Sequence, residues 1–275
     1  MIAFRRAYLY VAAAVSLQVL TWGTISLVRN LVRRPLVSSE AAAFQMAVII
    51  VALPIFLAHW RVIQRRGTAD ANEPDAAARR VYLFGMLALW LAPMLANLHG
   101  LLARLLAAAL GTLPYTGPDP DTSSAWQPLL ALAVLGVLAA WHARILAAEG
   151  AWRDAVGAPA TVRRVFLLGF AALGTVLVAT AAMQLFVLAA TGVYARTTLD
   201  LGTRPALPGA TARLVVGLLA WFAAGSLAQR QVREGRPAER QSVLRPLYLH
   251  FFTVASMLAT LGAAAMLLAG ALRVV

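Results

Sequence analysis

Seven long apolar stretches separated by short polar connections dominate the pattern of hydrophobic and polar positions along the chain. A helix of about 20 apolar residues is long enough to cross the roughly 30 Å hydrocarbon core of a bilayer. The pattern therefore predicts an all-α, polytopic membrane bundle of seven transmembrane helices, over residues 7–28, 41–60, 81–110, 126–148, 162–192, 210–229 and 246–272.

The acidic residues are distributed as a bilayer requires. All 11 Asp and Glu residues lie in the connections or at the edges of the stretches. An unpaired charge inside the hydrocarbon costs several kcal/mol, so acidic residues are expected outside it. This distribution supports the seven predicted crossings.

Composition agrees with a membrane protein. Of the 275 residues, 61% are hydrophobic and 13% are charged, whereas soluble domains average about 45–50% and 25%. The chain has no Cys, which excludes disulfides and thiolate metal sites. We expect one integral membrane domain over residues 1–275.

The basic residues predict an orientation. All 24 are Arg; the N-terminus and the connections after the second, fourth and sixth stretches, counted with the adjoining ends of the stretches, hold 16, and the opposite side holds 8. Because cytoplasmic loops are enriched in basic residues, we predict a multi-pass protein of the cytoplasmic (inner) membrane, with its N-terminus inside and its C-terminus outside. No basic domain lies outside the stretches, so the net charge of +13 does not indicate nucleic-acid binding.

A repeat is visible at the start of every odd-numbered stretch. The opening segments are RRAYL at 5–9, RRVYL at 79–83, RRVFL at 163–167 and RPLYL at 245–249. The first two even-numbered stretches end in similar segments, HWRVI at 59–63 and HARIL at 142–146. These repeats predict three parallel two-helix hairpins, at about 4–67, 78–150 and 162–235, followed by a half repeat at 244–275.

Paired guanidinium groups at the start of a crossing suit lipid phosphates, which Arg binds bidentately, and the nearby aromatic ring suits the membrane interface. We therefore predict that the opening arginines contact lipid headgroups. These residues are Arg5, Arg6, Arg79, Arg80, Arg163, Arg164 and Arg245.

The repeated segments resemble a family of prokaryotic membrane domains of unknown function. Its members begin with an Arg-Arg-x-Tyr-Leu-like segment and close their second helix with an edge rich in His, Trp and Arg. The resemblance covers nearly the whole chain as repeated copies, although the third copy lacks His and Trp at its closing edge. It implies the architecture and brings no activity, ligand or catalytic residue.

Three histidines are predicted at one depth on the inner side: His59, His142 and His250. Imidazole is a ligand for haem iron, zinc and copper, so this set could bind a haem, a quinone or a pigment, with His59 and His142 as the best pair. The simpler interpretation is that each imidazole bonds a carbonyl, a lipid headgroup or water.

Sequence signatures of enzymes are missing: there is no G-x-S-x-G, H-E-x-x-H or Walker-type loop. We expect a non-enzymatic scaffold, assembly or accessory subunit whose partners are membrane lipids and other membrane subunits or further copies of itself. Two alternatives stay open: a haem-, quinone- or pigment-binding subunit, and a passive channel or uncoupled transporter.

Overall fold

A computed structural model describes residues 2–32, 39–70, 73, 76–111, 125–153, 157–194, 206–234 and 242–272. Within these residues the chain is helical and has no strand. A single 3₁₀ turn follows the fourth of seven α-helices. The helices are α1 Ile2–Val32, α2 Ser39–Ala69, α3 Ala77–Ala109, α4 Trp126–Ala148, α5 Gly157–Tyr194, α6 Ala206–Arg233 and α7 Leu244–Leu272.

Six of these helices, α1 to α6, are long and apolar enough to cross a membrane, as judged from the residues that the structure describes. At most 33% of the most apolar part of each is buried inside the protein. Large apolar side chains such as Phe44 and Phe222 therefore face outward, as expected where lipid replaces water as the solvent. The helix α7 is also present, and its crossing stays a prediction.

Several helices extend beyond the predicted stretches. The helix α2 continues from Trp60 to Ala69, and α5 has 38 residues, which corresponds to about 57 Å at 1.5 Å per residue. Backbone hydrogen bonding within a helix does not stop at the membrane surface, whereas apolar composition does. The arginines that end the apolar pattern of α2 therefore lie on the same helix.

Consecutive helices pack as the pairs α1–α2, α3–α4 and α5–α6. The helix α3 is central, because it also contacts α1, α5 and α6, whereas α7 packs mainly on α5. The buried side of α3 carries Leu83, Phe84, Met86 and Trp90, which form the middle of the apolar core.

Glycine allows the closest helix contact, between α5 and α6. A methyl group added at Gly217 would lie 2.8 Å from the backbone nitrogen of Val178, and one added at Gly174 would overlap the backbone of Trp221. Small residues at such crossings let two backbones approach closely, and this contact is a main source of association between membrane helices.

Candidate functional site at the arginine-rich end of the bundle

One end of the bundle gathers most of the charged side chains. There α1, α3, α5 and α7 begin and α2, α4 and α6 end, and contacts between the connections and the helix starts join neighbouring elements. We call this the arginine-rich end. The opening segments of the sequence lie here.

Glu149 binds both arginines at the start of α3. Its carboxylate accepts hydrogen bonds from Arg79 Nε at 2.9 Å and from Arg80 Nη1 at 2.9 Å. The α4 helix ends at this point because Gly150 adopts a left-handed φ of 67°, which turns the chain so that Glu149 lies over the start of α3. The result is a triad of one carboxylate and two buried guanidinium groups.

A second ion pair ties α1 to the connection between α2 and α3. Arg6 Nη2 lies 2.7 Å from Glu73 Oε2 and 3.3 Å from Asp70 Oδ2, and the Tyr10 hydroxyl donates to Glu73 Oε1 at 2.8 Å. Glu73 is 3% exposed, although it belongs to a polar connection. Its carboxylate is satisfied by a guanidinium and a phenol together.

Three of the opening arginines are buried inside the protein, and their contact with lipid headgroups stays a prediction. Arg79, Arg80 and Arg163 are at most 3% exposed, and the contacts that the structure shows for them are internal. Arg79 and Arg80 face Glu149, and Arg163 Nη1 donates to the Trp152 backbone carbonyl at 3.1 Å. Guanidinium groups buried in a protein need such acceptors, and these are internal.

The other opening arginines have different surroundings. Arg5 is exposed, and Arg6 pairs with Glu73 and Asp70. Arg164 and Arg245 line a cleft between α5, α6 and α7. Headgroup contact stays a prediction for these four residues.

The three inner-side histidines lie in different surroundings. His142 is fully buried, and its ring lies 4.8 Å from the ring of Trp141 and 6.0 Å from that of Trp90. His59 packs edge-on against Tyr8, and His250 is exposed. Among the described residues, no group of three or more His, Asp or Glu side chains is arranged to hold a metal ion.

Each of these histidines contacts the carbonyl four residues earlier in its helix. The Nδ1–O distances are 2.7 Å for His59, 2.8 Å for His142 and 2.7 Å for His250. A carbonyl oxygen only accepts, so in the neutral imidazole Nδ1 carries the proton and Nε2 keeps its lone pair. Trp90 Nε1 lies 3.3 Å from the same His142 nitrogen, but a protonated Nδ1 cannot also accept, so this approach is a ring contact.

Sequence reasoning missed the carboxylate partners of the arginines. The signal was present, because Glu73 and Glu149 stand in the connections that leave α2 and α4, on the same side as the opening arginines. It also missed Trp90, whose side chain is fully buried against His142. Nothing in the local sequence distinguishes Trp90 from the other apolar residues of α3.

Long apolar helices, outward-facing apolar side chains and charges gathered at helix ends define the class: an all-helical, multi-pass membrane protein. A family model described as a domain of unknown function (DUF5671) matches residues 6–140 and 164–275. The chain therefore belongs to this family of unknown function, which is consistent with the predicted resemblance to an uncharacterised family. Searches among curated proteins and among solved structures found no match.

Proposed function

We propose that the chain is a non-enzymatic scaffold, assembly or accessory subunit of a membrane complex. The observation that carries this proposal is the one-sided packing of α7, which lies mainly against α5. Its side chains Leu247, Phe251, Val254 and Met257 are each more than half exposed. A peripheral helix with a broad apolar face suits either lipid or a neighbouring membrane subunit, and apolar faces are typical of permanent subunit interfaces.

Buried hydroxyl groups support a structural role. Ser16 Oγ donates to the Ala12 carbonyl at 2.6 Å, and Thr21 Oγ1 donates to the Leu17 carbonyl at 2.7 Å. Each hydroxyl is thus satisfied by its own helix. A catalytic hydroxyl would instead need a base within hydrogen-bond reach.

The finer architecture belongs to the same proposal. We take residues 4–67, 78–150 and 162–235 as parallel hairpins and 244–275 as a half repeat, with α7 as the seventh crossing. The two segments matched by the family model begin at Arg6 and Arg164, which are the second arginines of two opening segments. This agreement supports the Arg-Arg-x-Tyr-Leu-like segment as a motif of the family, and the prokaryotic origin of the family stays a prediction. The excess of arginine supports a cytoplasmic N-terminus in the inner membrane and an outer C-terminus.

Purification in mild detergent followed by mass spectrometry tests the subunit role. We expect a second membrane protein, or further copies of this chain, at fixed stoichiometry. The double substitution Phe251→Ala/Met257→Ala should reduce that association. Phe44→Ala/Ile50→Ala, on the exposed face of α2, is the matched control. A solitary monomer, turnover of a substrate, or solute flux through liposomes holding only this chain would each contradict the proposal.

A second candidate, the haem, quinone or pigment binder, is favoured by one observation. His142 Nε2 is buried and has no hydrogen-bond partner among the described residues. A nitrogen lone pair in that position is able to ligate a metal or accept a hydrogen bond from a cofactor. If a cofactor binds there, the purified protein will be coloured and His142→Ala will bleach it. His99→Ala is the control, because His99 Nε2 lies 3.1 Å from the Gly209 carbonyl. A colourless protein would exclude haem and pigment.

A further inference from the structure

A cleft opens at the arginine-rich end between α5, α6 and α7. Its volume is about 610 Å³, within the range of about 300–1,000 Å³ that is usual for ligand sites. The start of α5, the last three turns of α6 and the start of α7 form its walls. All residues that line it follow Glu149 along the chain.

The charged part of this cleft is entirely basic. Arg164, Arg230, Arg233 and Arg245 line it, and no described carboxylate does so. The described ion pairs at this end engage Arg6, Arg79 and Arg80 in α1 and α3. Arg230, Arg233 and Arg245 bring three positive charges to one cleft, and the described lining adds no carboxylate, so the cleft attracts negative charge.

The position of Glu234 distinguishes this cleft from the Glu149 triad. Like Glu149, it immediately precedes a glycine at the end of an even-numbered hairpin helix. Glu149 binds two arginines, but Glu234 is exposed and does not line the cleft. The equivalent position in sequence therefore does not neutralise the arginines of the second half.

Deeper in the cleft the lining becomes apolar. Leu168, Ala171, Trp221 and Phe222 continue the walls away from the arginines. Phe222 is 70% exposed, and Leu249, on the α7 side, is 52% exposed, so the cleft is open sideways toward the region that hydrocarbon occupies. From Arg233 to Trp221 the α6 wall rises about 18 Å at 1.5 Å per residue.

We propose that this cleft binds an anionic phospholipid, with its phosphates among the arginines and the upper part of an acyl chain along the apolar wall. Arg recognises phosphate oxygens bidentately, and each basic residue near the membrane surface contributes about 1 kcal/mol to the attraction of anionic lipid. Arg230, Arg233 and Arg245 together favour a lipid with two phosphates, such as cardiolipin, over one with a single phosphate.

The apolar wall distinguishes a lipid from a free phosphate ion. A small soluble anion would use the arginines and leave Trp221, Phe222 and Leu249 exposed. A lipid entering sideways covers both parts of the cleft. This inference specifies which class of lipid the chain binds. It rests on the proposed function, in which the chain lies in a membrane. Loss of lipid binding would leave co-purification of a subunit intact, so the two proposals fail separately.

Native mass spectrometry of the full chain in mild detergent tests the charged part of the site. After exchange with cardiolipin, phosphatidylglycerol or phosphatidylcholine, we expect retention to fall in that order. Arg230→Gln/Arg245→Gln should weaken cardiolipin retention by at least about tenfold. Arg61→Gln/Arg65→Gln removes the same charge from the exposed end of α2 and should have little effect. Equal losses for the two double variants would overturn the proposal.

A second pair of variants tests the apolar wall and does not touch the arginines. Gly225 lines the cleft, and a Cβ added there meets nothing within 4 Å, so Gly225→Leu should place its side chain in the cleft and improve helix propensity. It should reduce cardiolipin retention severalfold, whereas Gly169→Leu, which is equally free of clashes and outside the cleft, should not. Unchanged retention in Gly225→Leu, or full displacement of cardiolipin by millimolar inorganic phosphate, would show a site for the phosphate group alone and overturn the lipid proposal.

Discussion

The two halves of the arginine-rich end use the same kind of residue in opposite ways. In α1–α4, Arg6, Arg79 and Arg80 are bound by Glu73 and Glu149 and hold helices and connections together. In α5–α7, Arg230, Arg233 and Arg245 at the same end line a cleft without a described carboxylate. Guanidinium groups at one end of the bundle therefore differ in what they bind according to the acids near them.

The largest effect should come from removing the acid of the first half. Glu149→Gln removes the carboxylate that the buried Arg79 and Arg80 share, and breaking a buried pair in this way costs about 3–5 kcal/mol. Thermal unfolding in detergent should show a large loss of stability or a failure to accumulate folded protein. Glu234→Gln is the matched control and should change stability by less than about 0.5 kcal/mol. Similar midpoints for the two variants would mean that the triad does not stabilise the fold.

The second half should depend more on close helix packing than on ion pairs. Gly217→Val would force α5 and α6 apart, because even a methyl group would lie 2.8 Å from the backbone of Val178. Overpacking typically costs about 1–3 kcal/mol, and backbone cannot move aside as a side chain does. A Cβ added at Gly225 on the same helix meets nothing within 4 Å, so Gly225→Val should be tolerated. Equal stability of the two valine variants in thermal unfolding would refute the tight crossing.

Anionic lipid should stabilise the second half through its cleft. If cardiolipin binds only the folded form of the protein, a free cardiolipin concentration of 100 times Kd adds about 2.7 kcal/mol to the free energy of unfolding. The unfolding midpoint then rises. Arg230→Gln/Arg245→Gln should unfold near the wild-type midpoint without lipid and lose this rise when lipid is added. A rise that persists in the double variant would place the stabilising lipid elsewhere.

The smallest expected effect is a difference in stability between substitutions at two buried tyrosines. Tyr10 donates to Glu73, whereas the Tyr82 hydroxyl has no partner among the described residues. Tyr10→Phe should cost about 1–3 kcal/mol, as expected for a hydrogen bond to a charged group. Tyr82→Phe should be neutral or slightly stabilising, because it removes an unsatisfied hydroxyl. The two unfolding midpoints, measured side by side, check this order, and a larger loss for Tyr82→Phe would contradict it.

The sequence predicts the helices of this protein well because hydrocarbon imposes a simple rule. An apolar run of sufficient length must satisfy its backbone internally, so the predicted stretches coincide with α1 to α6 even where the helices extend further. The end of α2 at Ala69, nine residues beyond the predicted span, was not predictable from hydropathy. Helices continue through polar residues once they have left the bilayer.

The site was predicted only in part. The repeat located Arg79, Arg80 and Arg163 at one end of the bundle, but their burial depends on residues far away in sequence. Glu149 is about 70 positions from Arg79, and hydropathy does not reveal which connection folds over which helix start. The lateral cleft likewise depends on how loosely α7 packs on α5, a property of the assembled bundle.

The side of the membrane on which the arginine-rich end lies is the most direct test of the whole account. The chain has no Cys, so a single Cys substitution introduces its only thiol, and labelling of that thiol reports the side of the membrane on which the residue lies. Thr68→Cys and Ser242→Cys lie at the arginine-rich end, and Leu110→Cys lies at the opposite end. With a membrane-impermeant maleimide on intact cells, the account predicts labelling of Leu110→Cys alone, and of all three after the cells are opened. Labelling of Thr68→Cys or Ser242→Cys in intact cells would contradict it.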